Sequence, residues 1–398
     1  MLARKLQAGL CAVRDDLVAH ARLSSLALLA EPAMAAQRDR AREAVVRVEQ
    51  AVALQDLLGR HFGARPGKVC WSPRDRALVQ RLCGRAGPAK LAPIDAALAE
   101  RLAAVASGVQ ALRDLCAKSP LADAISLHLD GLAASLPEAR PVFPAAVPRP
   151  SPEVAVRAVR GPPHVQLDPI FAPAFSLLED PDLLKIRAPY ETASFHWLAG
   201  LRESMAAELC SLSIVETDGL PLAFHRDFAK QAWDEMRHAL FFVQVGVQLL
   251  PDFIEGAPKG HPLLPGAKRY AATGRGLPCP VEGNLYEVAF GCTLAQRLVL
   301  MHLDTETPGI ARFKKELKTR FWKARPALKA GLELSTYDEA SHARLGRTWL
   351  SHLLPDRDER KAEVTRTRLL RGVFLLAAFS HHQRRPIAEL LNEASRRA

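Results

Sequence analysis

Apolar residues return every three or four positions along much of this 398-residue chain, the spacing that gives an α-helix one buried face. In the first third, Val45, Val48, Ala51, Leu54 and Leu58 keep that spacing across Ala44 to Leu58, and a second run covers Ile94 to Leu115. Four longer patterns follow later, at about Tyr190 to Thr217, Pro221 to Leu250, Leu285 to Leu303 and Pro326 to Leu354. Between the two regions ten prolines fall from Pro137 to Pro173, which forbids a continuous helix and favours extended backbone. Asp218-Gly219 breaks the first pair of long helices tightly. The stretch from Pro251 to Pro280 carries five glycines and makes a long crossover between the second and third. The expected fold class is therefore all-α: an N-terminal helical region at 1–136, a proline-rich linker at 137–189, a four-helix bundle at 190–354 built of two hairpins joined by a crossover, and a C-terminal helical tail at 355–398.

Composition narrows the setting. A hydrophobic share of 48% is enough to bury a sizeable core, and the length suits roughly two or three domains. Seven cysteines, odd in number and without CxxC spacing, do not make a disulfide scaffold, and the expected compartment is a reducing cytoplasm. Arg4, Lys5, Arg14, Asp15 and Asp16 interrupt the apolar positions of the first twenty residues, so no signal peptide is expected. The longest apolar run, Val373 to Phe379, is far too short for a membrane span. The net charge of +11 favours anionic partners, nucleic acid among them, but it is spread along the chain without a dense basic block and reads first as a solvated surface.

Chemistry enters with a repeated segment. Trp233-Asp234-Glu235-Met236-Arg237-His238-Ala239 and Tyr337-Asp338-Glu339-Ala340-Ser341-His342-Ala343 both read aromatic-Asp-Glu-x-x-His-Ala. A single ExxH is weak evidence in a chain with 13 histidines; the shared five-position context gives it meaning. Glu and His three apart stand one turn apart on one helix face and can reach the same ion. Such a pair from each of two helices, with one carboxylate from each of two others, is the ligand pattern of di-iron and di-manganese bundles. On the first long helix Leu198, Leu201, Met205, Glu208, Leu212 and Val215 form one stripe with a single carboxylate. Glu208 is the expected ligand there, and Glu203, about 140° away on the wheel, is its competitor. Trp233 and Tyr337 suit core packing, an electron relay or a pocket wall. His196 and His225 lack a ligand partner three or four residues away, and these two and His302 read as structural or solvated.

The run from Glu203 to Phe241, with Glu208 followed 27 residues later by Glu235, resembles the ferritin-like di-iron carboxylate superfamily. Within it, the run looks like a bacterial ferritin-like family related to the tRNA-modifying di-iron hydroxylases. The likeness continues through Asn284-Leu285-Tyr286-Glu287-Val288-Ala289 and Thr307-Pro308-Gly309 to Asp338-Glu339-Ala340-Ser341-His342. In register with that family the third helix ends at Asp304, where the family has a glutamate; Glu287 and Glu306 are the alternatives, with His302 or no ligand behind them. The resemblance also implies that Asp234 and Asp338 each accept the N–H of the other helix's histidine.

These expectations add up to a metal set of Glu208, Glu235, His238, Asp304, Glu339 and His342, with Glu235 and Glu339 bridging two iron ions or an iron–manganese pair. The implied function is a non-haem oxygenase or oxidase with dioxygen as co-substrate, an electron donor, and a small or carrier-bound organic substrate. A ferroxidase-type iron protein without organic substrate, and a helical scaffold for RNA or protein, are the other two readings.

Overall fold

The computed structural model describes residues 2–31, 34–65, 67–83, 91–116, 122–135, 190–277 and 289–383, whose regular structure is helical apart from one pair of two-residue strands. The proline-rich segment, Glu287 and the last fifteen residues of the tail lie outside the described residues. The chain divides into two compact units, residues 1–159 with 210–233, and residues 160–209 with 234–398. The division falls within two helices, α6 (Glu191–Glu216) and α7 (Leu222–Gln248), so each gives one stretch to each unit.

In the first unit α1 (Leu2–Ala30) packs on α2 (Met34–Phe62) and α4 (Leu91–Cys116), while α3 (Pro73–Cys83) and α5 (Ala122–Ser135) complete the described helices. Their periodic apolar positions, among them Val48, Ala51, Leu54, Leu58, Ile94 and Leu98, are buried as the 3.6-residue period requires. Strands β1 (Lys68–Val69) and β2 (Leu220–Pro221) pair antiparallel beside the expected Asp218-Gly219 break, where Gly219 takes φ +82 and so needs glycine. Arg22, buried, stacks on Trp71 at 3.8 Å, pairs with Asp218 at 3.0 Å and donates to the Thr217 carbonyl at 2.8 Å, which satisfies the end of α6.

The second unit holds the repeated motifs. Two short helices, α8 (Leu250–Gly256) and α9 (Leu264–Thr273), occupy the crossover. Thr293 and Gln296 form a capping box that starts α10 (Leu294–Leu298). The chain then passes without a break into an eight-residue π-helix (Val299–Glu306) and α11 (Thr307–Glu316), so the third long helix runs well past Leu303. Its register has local causes. Pro308 has no N–H to close an α-helical bond on Asp304, and the hydroxyls of Thr305 and Thr307 donate five residues back, to the Leu300 carbonyl at 2.8 Å and the His302 carbonyl at 3.1 Å. After α12 (Arg320–Lys323), α13 (Pro326–Leu353) packs along the π-helix and α11, and α14 (Arg357–Gln383) packs on α10 and the π-helix.

Helices α6 and α7 approach closely. A Cβ at Gly200 would lie 2.8 Å from the Ala239 carbonyl oxygen, and one at Gly246 would lie 3.1 Å from the Ala193 carbonyl oxygen and inside the space of the Trp197 ring. No single described helix is long and apolar enough to cross a membrane; α7 and α8 meet that test only as a pair bent by 47°.

The close approach predicts an asymmetry among glycines. Gly200→Ala should lower stability by about 1–3 kcal/mol, because the obstacle is backbone and the two helices must part. Gly372→Ala, on α14 with nothing within 4 Å, should be neutral or raise it by up to ~1 kcal/mol through helix propensity. Urea titration of both variants checks the contrast.

Candidate metal centre

Two overlapping sets of side chains converge in the second unit. Glu203, Glu235, His238 and Glu339 form one, and Glu235, Glu306, Glu339 and His342 the other; the ligand atoms of each set all lie within 4.8 Å of one another. Each set has one carboxylate and one imidazole of its own, and both share Glu235 and Glu339. This buried Glu/His cluster could hold metal. Glu203 comes from α6, Glu235 and His238 from α7, Glu306 from the end of the π-helix, and Glu339 and His342 from α13.

The imidazoles are fixed from behind. His238 Nε2 lies 3.2 Å from Asp338 Oδ2, and His342 Nε2 lies 3.4 Å from Asp234 Oδ2, so each histidine reaches the aspartate of the other motif. Arg237 ties both aspartates, 2.5 Å from Asp234 Oδ1 and 3.1 Å from Asp338 Oδ2. With Nε2–H facing an aspartate, each Nδ1 faces the glutamates, where it holds a proton in the metal-free cluster and would offer a lone pair to a metal that displaced it. His238 Nδ1 stands 3.4 Å from oxygens of both Glu235 and Glu339 without hydrogen-bond geometry to either; His342 Nδ1 stands 3.2 Å from oxygens of the same two residues. An imidazole nitrogen aimed at two carboxylates at once is an arrangement that a shared cation could complete in place of a proton.

Electrostatics points the same way. Carboxylate oxygens within a set are no more than 4.8 Å apart, where two unit charges at an effective dielectric of ~20 repel by about 3–4 kcal/mol. Five such pairs, all fully ionised, would exceed the ~5–15 kcal/mol of net stability of a typical domain. Protons relieve the charge when no ion does. Burial first, then Glu339 and Glu235, push the Glu203 carboxyl well above its usual range, and burial with the same two neighbours does so for Glu306. Burial opposes ionisation of Glu235 and Glu339 too, but the flanking histidines, joined at Glu339 by Glu306, outweigh it and hold both low. Burial also opposes charging of the imidazoles, yet the surrounding carboxylates, Asp338 foremost for His238 and Glu235 for His342, raise both well above the ordinary histidine value.

Two of the six expected ligands stand elsewhere. Glu208 is buried on α6 but lies outside both sets, where Glu203 is found instead. The stripe argument assumed one buried face, whereas α6 is buried on nearly every side from Ala193 to Val215. The face that meets α7 is marked by small residues: Ala193 and Gly200, seven apart, lie against it, Ala207 continues the spacing in the sequence, and Glu203 follows Gly200 by three. Asp304 is also absent from the sets; it pairs with Arg368 at 2.8 Å, and Glu306, two residues on, takes the place at the cluster. Each π-helical residue turns the chain less than the 100° of an α-helix, so after eight residues the inward side chain comes one or two positions later. Tyr337 is 76% exposed and so neither packs in the core nor lines the cluster. His302 is fully buried against Gly346, beyond His342 on α13, and burial lowers it to about 3, so it is neutral. Arg237 is a contributor that the expected site residues did not include; its signal was its place between two motif residues.

No protein-family model, curated protein or solved structure matches this chain.

Exchange of protons for metal is measurable. With Glu203 and Glu306 protonated, both histidines cationic, and Glu235 and Glu339 ionised, the cluster is neutral, and two divalent cations keep it neutral by displacing about four protons. Titration with Mn(II) near pH 7 in buffers of differing ionisation enthalpy should show that release. The stripped protein has a further signature. Its raised groups, Glu203, Glu306, His238 and His342, contribute stability that is complete at low pH and lost as pH rises through their raised values, while the lowered pair, Glu235 and Glu339, loses its contribution only in acid. The melting temperature of stripped protein should therefore fall as pH rises above the ordinary histidine value, and metal should flatten the slope.

Proposed function

We propose that the second unit is a ferritin-like four-helix bundle that binds two iron ions, or an iron–manganese pair, and acts as an oxygenase or oxidase on an organic substrate. The observation that carries this reading is the pair of ligand sets sharing Glu235 and Glu339, because two carboxylates common to both sets would be shared by two cations and would leave the outer positions to different residues. Glu203 and His238 serve one position, Glu306 and His342 the other.

A pair of ferrous ions supplies the electrons with which dioxygen is activated beside a bound substrate. The chain supplies the rest. The four glutamates match the four positive charges of two divalent ions, so the loaded cluster is neutral in a region that water barely reaches. Asp338 and Asp234 hold His238 and His342 with Nε2 protonated, which keeps Nδ1 free for metal and makes it a stronger donor. Arg237 fixes the two aspartates against each other. Burial of Glu235, His238, Glu339 and His342 shields a reactive oxidant from bulk water. An electron donor and a small or carrier-bound substrate are the partners this reading requires.

Protein purified without chelator should carry about two transition-metal ions per chain. Glu235→Ala and His342→Ala should lose most of both. Glu203→Gln and Glu306→Gln should each lose one, and Glu208→Gln should keep two. Wild-type metal content in both Glu235→Ala and His342→Ala would sink the site. Anaerobic ferrous protein exposed to oxygen should consume it in proportion to bound iron; uptake of many irons per chain into a mineral would instead place the protein among iron stores.

A further inference from the structure

The third helix reaches the cluster through its least regular segment. An eight-residue π-helix is less favourable than the α-helix it interrupts, and a return to α-helical closure would turn Glu306 away from Glu339. Something must hold that register. The threonine hydroxyls contribute locally, but Asp304 is tied from outside: Arg368 on α14 donates Nη2–H and Nε–H to Oδ1 at 2.8 and 3.0 Å, and Arg371, one turn on, stands 3.5 Å from Oδ2. The Asp304 side chain is only 7% exposed although Arg368 is 57% exposed. A forked guanidinium on a nearly buried carboxylate is the geometry in which an ion pair fixes position, unlike two solvated side chains. Thr367, fully buried, seats the same stretch of α14.

We propose that Asp304, Arg368 and Arg371 form a clamp through which α14 sets the register of the π-helix and so places Glu306 at the second metal position. These are positioning residues, and the proposal rests on the di-metal reading above. The residue expected as a ligand is the anchor of the true one, and α14 belongs to the metal centre although it supplies no ligand. The clamp acts on one position only. Glu203 and His238 come from α6 and α7, which Asp304 does not touch through these bonds, so the two positions respond differently when it is broken.

The test uses the full-length chain and cobalt(II) alone, whose visible absorption reports ligand number and geometry. Wild type should bind two cobalt ions per chain. In Arg368→Gln/Arg371→Gln and in Asp304→Asn, one ion should bind as in wild type, while affinity for the other falls about 10–100-fold, the loss usual when a residue orienting a ligand is removed, with a changed spectrum at that position. The full charge swap Asp304→Arg/Arg368→Asp/Arg371→Asp should restore the second ion, a rescue that general destabilisation would not give. Two ions with wild-type affinities and spectra in the folded double-glutamine variant would overturn the clamp and leave the di-metal reading standing. Equal loss of both ions, or no rescue in a folded swap, would also overturn it. Wild-type protein that binds no cobalt would remove the di-metal reading itself.

Discussion

The second unit is organised around mutual repulsion among Glu203, Glu235, Glu306 and Glu339 in a space that excludes water. Four ionised carboxylates cannot stay there unaided, so every nearby feature either supplies positive charge or fixes where it goes. The imidazoles stand between the shared glutamates, the aspartates hold the imidazoles, and Arg237 holds the aspartates. Protons and divalent cations would be alternative occupants of one charge balance, which would link metal, pH and folding in this unit.

Close packing makes this concentration of charge structurally possible. Gly200 and Gly246 let α6 and α7 meet backbone to backbone, and Gly346 lets the π-helix settle against α13 at His302. With larger residues at these places the helices would stand apart, and side chains as short as glutamate could not share an ion. The small residues matter through the distances they permit between polar groups on other residues.

The sequence made the repeated half of the site legible because both motifs sit in regular α-helix, where spacing converts directly into direction. Glu235, His238, Glu339 and His342 converge, with Asp234 and Asp338 behind them, at positions that a helical wheel anticipates. The other half was hidden for two physical reasons. On α6, apolar periodicity loses meaning when all sides are buried, and the informative pattern was the heptad of small residues beside Glu203. On the third helix, a π register displaced the inward position from Asp304 to Glu306, and only the placement of Pro308 among threonines hinted at it. The all-α class and the helical nature of the N-terminal region were readable from period alone. The boundary of the two compact units was not, because it falls inside α6 and α7, where the sequence shows continuous helix.

Arg237 also breaks the likeness between the two motifs. Its counterpart on α13 is Ser341, so a single guanidinium serves both aspartates from one side. Asp234 meets it with one oxygen and His342 with the other, whereas Asp338 gives the same oxygen to Arg237 and to His238. The oxygen that faces His238 is the one Arg237 also meets, whereas Arg237 and His342 meet different oxygens of Asp234. Any pair of ions held by this cluster would therefore sit in unequal fields, so a set of residues that looks two-fold in its ligands carries a built-in polarity.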